Sequence, residues 1–302
     1  MVVRMWGMMM IIVLMIGYGA AQEHRSQSEL KLVVHQKAGQ QVQAKEQTHV
    51  QDQVQGKPSV MITLTAKHVY QGNLLLVNKD HPVRSEGVKS DVVTLAHHEE
   101  LVRGYGLLDA SIQASRSVMR PFLGMMAAAD RDGVRHYQLN SGYRDAAKQD
   151  ELYQLMGKDY ALPAGYSEHN LGLSLDIGST QEEMSRAPEG KWLKKHAWSY
   201  GFILRYPEDK TDITGIRYEP WHFRYVGLPH SVIMREKNLT LEEYLDYLRD
   251  NPALTATIKG AVYRVMYYPV REDRKVQVPL GADEQYELSG NNMDGVIVTV
   301  HP

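Results

Sequence analysis

The chain has 302 residues, 43% of them apolar, with 34 Lys and Arg nearly balancing 36 Asp and Glu, enough for one sizeable catalytic domain with appendages. A formal charge of −2 creates no broad basic field, which argues against nucleic acid as the main partner. With no cysteine in the chain, a thiolate metal site and a cysteine nucleophile are both excluded.

After Arg4, residues 5–21 carry no charge and are dense in Met, Ile, Val and Leu, the pattern of an export segment. As a helix this stretch would span roughly 25 Å, short of a ~30 Å hydrocarbon core, and Gly19-Ala20-Ala21 offers small residues for signal-peptidase cleavage. Residues 1–21 are therefore read as a signal peptide or signal anchor, with Arg4 keeping the N-terminus cytoplasmic and the rest of the chain outside. Residues 22–58, rich in Gln, Lys, His and Glu, bury too little to offset ordering entropy. They read as a flexible linker with a reach of roughly 30–35 Å.

Residues 60–65 and 74–77 read as short strands, and 109–130 as a helix. His97-His98-Glu99-Glu100 invites a metal reading, but adjacent residues on a helix point in different directions, and the run suits a solvated helix start. Residues 137–139 form a strand entering Ser141-Gly142-Tyr143-Arg144, and 145–156 the next helix, which sets Arg144 at a strand-to-helix junction. Leu171, Leu173, Leu175 and Ile177 then alternate with Gly172, Ser174 and Asp176, the period of a half-buried strand that points Asp176 off the apolar face. His169 precedes it, in a loop opened by Pro163, Gly165 and Ser167.

A helix over 182–200 stops at Gly201, with Trp192 in the core and His196 at the surface. Residues 202–206 form a strand and 207–214 a polar loop, and the next strand enters Glu219-Pro220-Trp221-His222. Residues 241–249 make an amphipathic helix. Beyond Asn251-Pro252, the apolar runs 261–270, 275–278 and 295–300 between turn residues read as a small β-rich appendage, residues 255–302.

His169 and Asp176 look like half of a metal site, and His222 supplies a third ligand. Zinc takes imidazole and carboxylate when thiolate is missing, and a catalytic site keeps three protein ligands with the fourth position open for water. Glu219 lies three residues before His222. A plain strand would point the two to opposite faces, but Pro220 breaks the ladder and a bend there brings both to one pocket.

Three segments in this order carry a resemblance: Ser141-Gly142-Tyr143-Arg144 with Gln149 on the following helix, Ser167-Glu168-His169 through Asp176, and Tyr218-Glu219-Pro220-Trp221-His222-Phe223-Arg224. The chain resembles the VanY-type D-alanyl-D-alanine carboxypeptidases, zinc peptidases linked to glycopeptide resistance. The resemblance runs from about Val69 to the C-terminus and takes in 70–78 and 289–300. It implies an α+β fold, an antiparallel sheet flanked by helices, with the zinc carboxypeptidase domain over 59–254. It implies one zinc per chain on His169, Asp176 and His222, Glu219 as general base and then acid, and Arg144 on the oxyanion or the terminal carboxylate. Gln149 and Ser167 would hydrogen-bond substrate, and Trp221 would pack under His222. The implied substrate is the peptidoglycan precursor stem peptide ending in D-Ala-D-Ala, met by an uncleaved anchor with the catalytic domain outside the cell membrane. Activity would contribute to vancomycin resistance and be insensitive to penicillin.

Two other readings stand beside this one. A related zinc peptidase (D,D-dipeptidase, L,D-carboxypeptidase or endopeptidase) would use the same residues. A non-enzymatic wall-binding module would carry a structural zinc, but Glu219 beside an open three-ligand site counts against it. A serine enzyme is excluded by context, since Ser28-Glu29-Leu30-Lys31 lies in the linker and no Lys-Thr-Gly follows.

Overall fold

The computed structural model describes residues 30–34, 58–157 and 162–302. The expected signal segment, 1–21, and most of the expected linker lie outside the described residues. Among the described residues, no helix is long and apolar enough to cross a membrane. The fold is α+β. Its elements begin with β1 (Leu30–Val34), β2 (Ser59–Leu64), β3 (Val92–Thr94), β4 (Gly106–Leu107) and β5 (Gln113–Ser115), followed by α1 (Arg116–Arg131), β6 (Tyr137–Ser141) and α2 (Ala146–Met156). The middle of the chain supplies β7 (Ser174–Ser179), α3 (Pro188–His196), β8 (Phe202–Leu204), α4 (Thr211–Thr214), β9 (His222–Tyr225), α5 (His230–Lys237) and α6 (Leu241–Asp250). The C-terminal region adds β10 (Ala253–Ile258), β11 (Ala261–Pro269), β12 (Val276–Gly281), β13 (Tyr286–Gly290) and β14 (Gly295–Val300).

The site is carried by a five-stranded sheet of order β4-β6-β7-β9-β8. Its pairings are antiparallel except for β4 with β6. That parallel pair departs from the all-antiparallel expectation because the chain returns from β4 to β6 through α1, a crossover that leaves both strands pointing the same way. The apolar face of α1, with Val118, Met119, Phe122 and Met125, packs on Leu139, Leu175, Ile177 and Phe223 of the sheet. The helix starts later than the expected 109–130 because Gln113–Ser115 is taken into a strand pair with Val92–Thr94. Here tertiary pairing overrides helix pattern.

The C-terminal region forms a second sheet, β1-β10-β11-β14-β13, and all six residues of β14 are buried. Leu241, Tyr244, Leu245 and Leu248 of α6 pack on Leu254, Ala256, Val265 and Ile297 beneath it. Its outer strand β1 lies inside the segment read as a linker. The run Leu-Lys-Leu-Val-Val has the β-branched and apolar content that an edge strand needs.

Residues 74–77 are not a strand, contrary to expectation. Leu75 and Val77 enter the core under α1, while Leu74 and Leu76 enter the core under α6. The backbone is satisfied from outside: Leu74 N donates to Ser289 Oγ (2.7 Å), Leu76 N to Asn291 O (3.2 Å), and Asn292 Nδ2 to Leu76 O (2.8 Å). Each fully buried Leu contributes about 1.5–3 kcal/mol against about 1 kcal/mol net for a hydrogen bond, so burial in two cores decides the path.

Candidate active site

The turn Glu168–Leu171 precedes β7; Ser167 Oγ accepts from His169 N (3.3 Å) at its start, and Gly172 ends it at φ +78°. This turn aims His169 across the sheet, where its Nδ1 lies 2.6 Å from the Gly142 carbonyl oxygen. A carbonyl only accepts, so Nδ1 carries the proton and the Nε2 lone pair faces Asp176 Oδ2 at 3.2 Å. Gly142 has no alternative here, because a Cβ on it would stand 2.3 Å from Gln113 O. A bulge in β6 between Leu139 and Ser141 delivers this segment, re-aiming the strand as it approaches the site.

His222 opens β9 directly opposite Asp176. Its Nδ1 lies 3.1 Å from Asp176 Oδ1 and 3.6 Å from Glu219 Oε2, and its Nε2 lies 3.4 Å from Glu168 Oε2. The Gly142 carbonyl and Glu168 are thus the two partners that fix which imidazole nitrogen of His169 and of His222 is left to ligate, an arrangement typical of metal-binding histidines. His222 N donates to Glu219 O (3.1 Å), so the Glu-Pro-Trp-His stretch is a turn and not a ladder.

One ligand atom each from His169, Asp176 and His222 lies within 4.8 Å of the others, and this is the one such group among the described residues. Zinc bonds of ~2.0–2.2 Å at tetrahedral angles set ligand atoms roughly 3.3–3.6 Å apart, close to the two contacts of 3.2 and 3.1 Å. Asp176 Oδ1 is buried and, although His222 Nδ1 lies 3.1 Å away, accepts no hydrogen bond of good geometry, which suits a carboxylate whose partner is a cation. The donor set therefore fits a zinc ion.

Burial would raise the Asp176 carboxyl, but the His169 and His222 rings drive it below the usual carboxylate range. His169 is pulled down, chiefly by burial. Burial also disfavours the His222 imidazolium, yet the adjacent carboxylates of Asp176 and Glu168 push it up to about 9. The cluster draws positive charge, a proton or a metal ion. Glu219 is pushed up by burial, with His222 opposing and Asp176 adding. Arg144 is pulled down by burial and supported by Asp176 and Glu219. Its backbone is tied to the His169 turn through Arg144 N to His169 O (3.1 Å) and Asn170 Nδ2 to Arg144 O (2.7 Å).

Gln149 is buried in α2; its Nε2 donates to Leu162 O (2.6 Å), and its Oε1 has no partner. Ser167 is buried at the turn that carries His169. Trp221 is 41% exposed and does not pack under His222 as expected. The Tyr206 ring takes that place, 4.9 Å from the His222 ring, because the turn at Pro220 swings the indole outward. His98 faces Arg116 and Glu100 instead of a metal cluster.

Sequence reasoning missed the charged residues behind His222. Glu168 is fully buried and accepts from Arg224 Nη1 (2.6 Å), Arg205 Nε (2.8 Å) and Ser174 Oγ (3.0 Å). Burial opposes its ionisation, but the two guanidiniums hold it well below the usual range. The available signal was Arg224 two residues beyond His222, on the same face of β9.

The VanY family model, D-alanyl-D-alanine carboxypeptidase, matches residues 111–228, a span that includes every residue named above for the expected site. A D-alanyl-D-alanine carboxypeptidase of Enterococcus faecium is 58% identical over 240 residues, 80% of this chain and 78% of that protein. The bifunctional D-Ala-D-Ala dipeptidase and D-Ala-D-Ala carboxypeptidase VanXYC of Enterococcus gallinarum is 35% identical over 192 residues, 58% of this chain and 94% of that protein. Among solved structures, the vancomycin resistance D,D-dipeptidase VanXYg in complex with a D-Ala-D-Ala phosphinate analogue is similar at a TM-score of 0.70 and 30% identity, over 81% of this chain and 100% of that one. With this fold and this His-Asp-His cluster, the chain belongs to the VanY family of D-alanyl-D-alanine carboxypeptidases.

Proposed function

We propose that the chain is a zinc-dependent D,D-carboxypeptidase that removes the terminal D-Ala of peptidoglycan stem peptides ending in D-Ala-D-Ala, and so contributes to vancomycin resistance. The observation that carries this reading is the convergence of His169 Nε2, Asp176 and His222 Nδ1, with Glu219 Oε2 3.6 Å from His222 Nδ1. Zinc held by these three residues supplies the Lewis acid that makes water nucleophilic near neutral pH. Glu219, raised toward neutrality by burial, takes the proton from the attacking water and returns it to the leaving amine. Arg144 offers positive charge to the oxyanion or to the substrate's terminal carboxylate. Gln149 Oε1, buried without a partner, accepts from a substrate N–H, and Ser167 contributes its hydroxyl to substrate. Residues 1–21 act as a signal anchor or cleaved signal that places the rest of the chain outside the membrane.

The likeness to VanXYg and VanXYC favours a second reading, hydrolysis of free D-Ala-D-Ala dipeptide. One experiment separates the two. The chain lacking residues 1–21 is given a pentapeptide ending in D-Ala-D-Ala or the free dipeptide, and released D-Ala is measured. Preference for the pentapeptide, with loss of activity on chelation and none with penicillin, is expected. Preference for the dipeptide overturns the substrate assignment, and loss with penicillin but not with chelator overturns the mechanism.

A further inference from the structure

Arg205 and Arg224 are among the largest fully buried side chains, 1% and 0% exposed. Two buried guanidiniums are expensive to desolvate, and replacing such groups by apolar ones is often neutral or stabilising, so their presence is weak evidence of a role in stability. Their geometry has a single focus. Arg224 Nη1 (2.6 Å) and Arg205 Nε (2.8 Å) both donate to Glu168 Oε1, which leaves Oε2 to Ser174 Oγ (3.0 Å) and His222 Nε2 (3.4 Å). Glu168 cannot rotate about its carboxyl without breaking two charge-assisted bonds.

Each arginine is itself anchored outside the catalytic sheet. Arg205 Nη1 and Nη2 fork onto Glu242 Oε2 (2.9 Å) and Oε1 (2.6 Å) in the first turn of α6, the helix that packs on the C-terminal sheet. Arg224 Nη2 donates to the carbonyls of Asn73 (3.0 Å) and Leu75 (2.9 Å), in the segment that Ser289 and Asn292 hold from the C-terminal strands.

We propose that Arg205, Arg224 and Glu242 are positioning residues that act through Glu168 to keep the proton of His222 on Nε2 and its Nδ1 lone pair on the metal, and that the C-terminal region is the frame they brace against. This rests on the reading of His222 as a zinc ligand. A carboxylate that accepts only at Nε2 selects one tautomer; if Glu168 turns away, the ring is free to carry its proton on the ligating side. Lys at position 205 keeps the charge but cannot serve Glu168 and the Glu242 fork together.

The test compares the wild type with Arg205→Lys, Glu242→Gln and His222→Ala. Zinc affinity is measured by competition with a chromogenic chelator, the ligand field by the absorption of the Co(II)-substituted protein, and kcat and KM on the pentapeptide. We expect Arg205→Lys to weaken zinc binding by about 10- to 100-fold, alter the Co(II) bands and lower kcat with KM nearly unchanged. Glu242→Gln, at the more exposed end of the chain of contacts, should do the same to a smaller extent and keeps the inference testable if Arg205→Lys fails to fold. Lowered thermal stability with wild-type zinc affinity, Co(II) spectrum and kcat in the folded variants overturns the inference. Unchanged zinc affinity in His222→Ala overturns the metal-site reading itself, a separate outcome.

Discussion

Two buried histidines, His222 in the catalytic sheet and His230 at the start of α5, show how differently the two halves of the molecule treat the same side chain. His222 is pushed up to about 9 because Asp176 and Glu168 outweigh its burial. His230 is pushed down to about 3, by burial first and then by the charge of His301. Its ring nitrogens reach the Tyr244 hydroxyl (2.8 Å) and Thr299 Oγ1 (2.9 Å), neutral partners that satisfy a neutral ring. Burial away from carboxylates therefore neutralises an imidazole, and carboxylates reverse the sign. The catalytic half buries carboxylates that draw positive charge, while the C-terminal half buries a neutral polar contact inside an apolar core.

The comparison breaks most sharply at His222. His222→Ala should leave no stoichiometric zinc and cost more turnover than any other single change here, as metal analysis and D-Ala release would show; full zinc with full activity would remove it from the site. Glu219→Gln comes next. It should keep zinc yet lose about 10²- to 10⁴-fold in kcat, and near wild-type turnover with zinc bound would take Glu219 out of the mechanism.

Gly142→Ala tests the other histidine through its backbone partner. The added methyl, 2.3 Å from Gln113 O, should shift the carbonyl that orients His169. Zinc affinity should drop about 10-fold with a stability loss of about 1–3 kcal/mol, read by chelator competition and denaturant titration. Unchanged affinity would mean that the His169 orientation does not depend on that carbonyl.

The smallest effect sharpens the His230 side. Its folded pKa is depressed, so below about pH 6.5 the unfolded chain binds the extra proton and stability falls as pH drops from about 6.5 toward 3. Between pH 7 and 5.5 this contributes about 1 kcal/mol of lost stability. His230→Gln should flatten the pH slope of the denaturant midpoint by that amount, whatever its effect at pH 7. An unchanged slope would show that His230 does not titrate on unfolding.

The ligand-type residues were legible because their signals are local. Leu-Ser-Leu-Asp-Ile fixes the face on which Asp176 lies by period alone, and Pro220 announces the turn that brings Glu219 beside His222. The helix α6 was equally plain from its Tyr244, Leu245 and Leu248 stripe. Long-range competition hid the rest. Residues 113–115 continue a helical pattern but are captured by a partner strand far away in sequence. Nothing local in the sequence pairs Glu168 with Arg205, 37 positions further on, and only the folded chain brings the two charges together. The exposure of Trp221 follows from the direction of a turn, which spacing does not encode.

The run 74–77 has a consequence for how the molecule comes apart. Its alternate side chains are seated in two different cores, Leu75 and Val77 in one and Leu74 and Leu76 in the other. A wall shared in this way cannot leave one core and stay in the other, since the same few backbone bonds would have to be in two places. Melting of the C-terminal half should therefore withdraw the wall from the catalytic half, and the two should be lost in a single cooperative transition, with near-ultraviolet signals from Tyr244 and Phe122 falling at the same denaturant concentration.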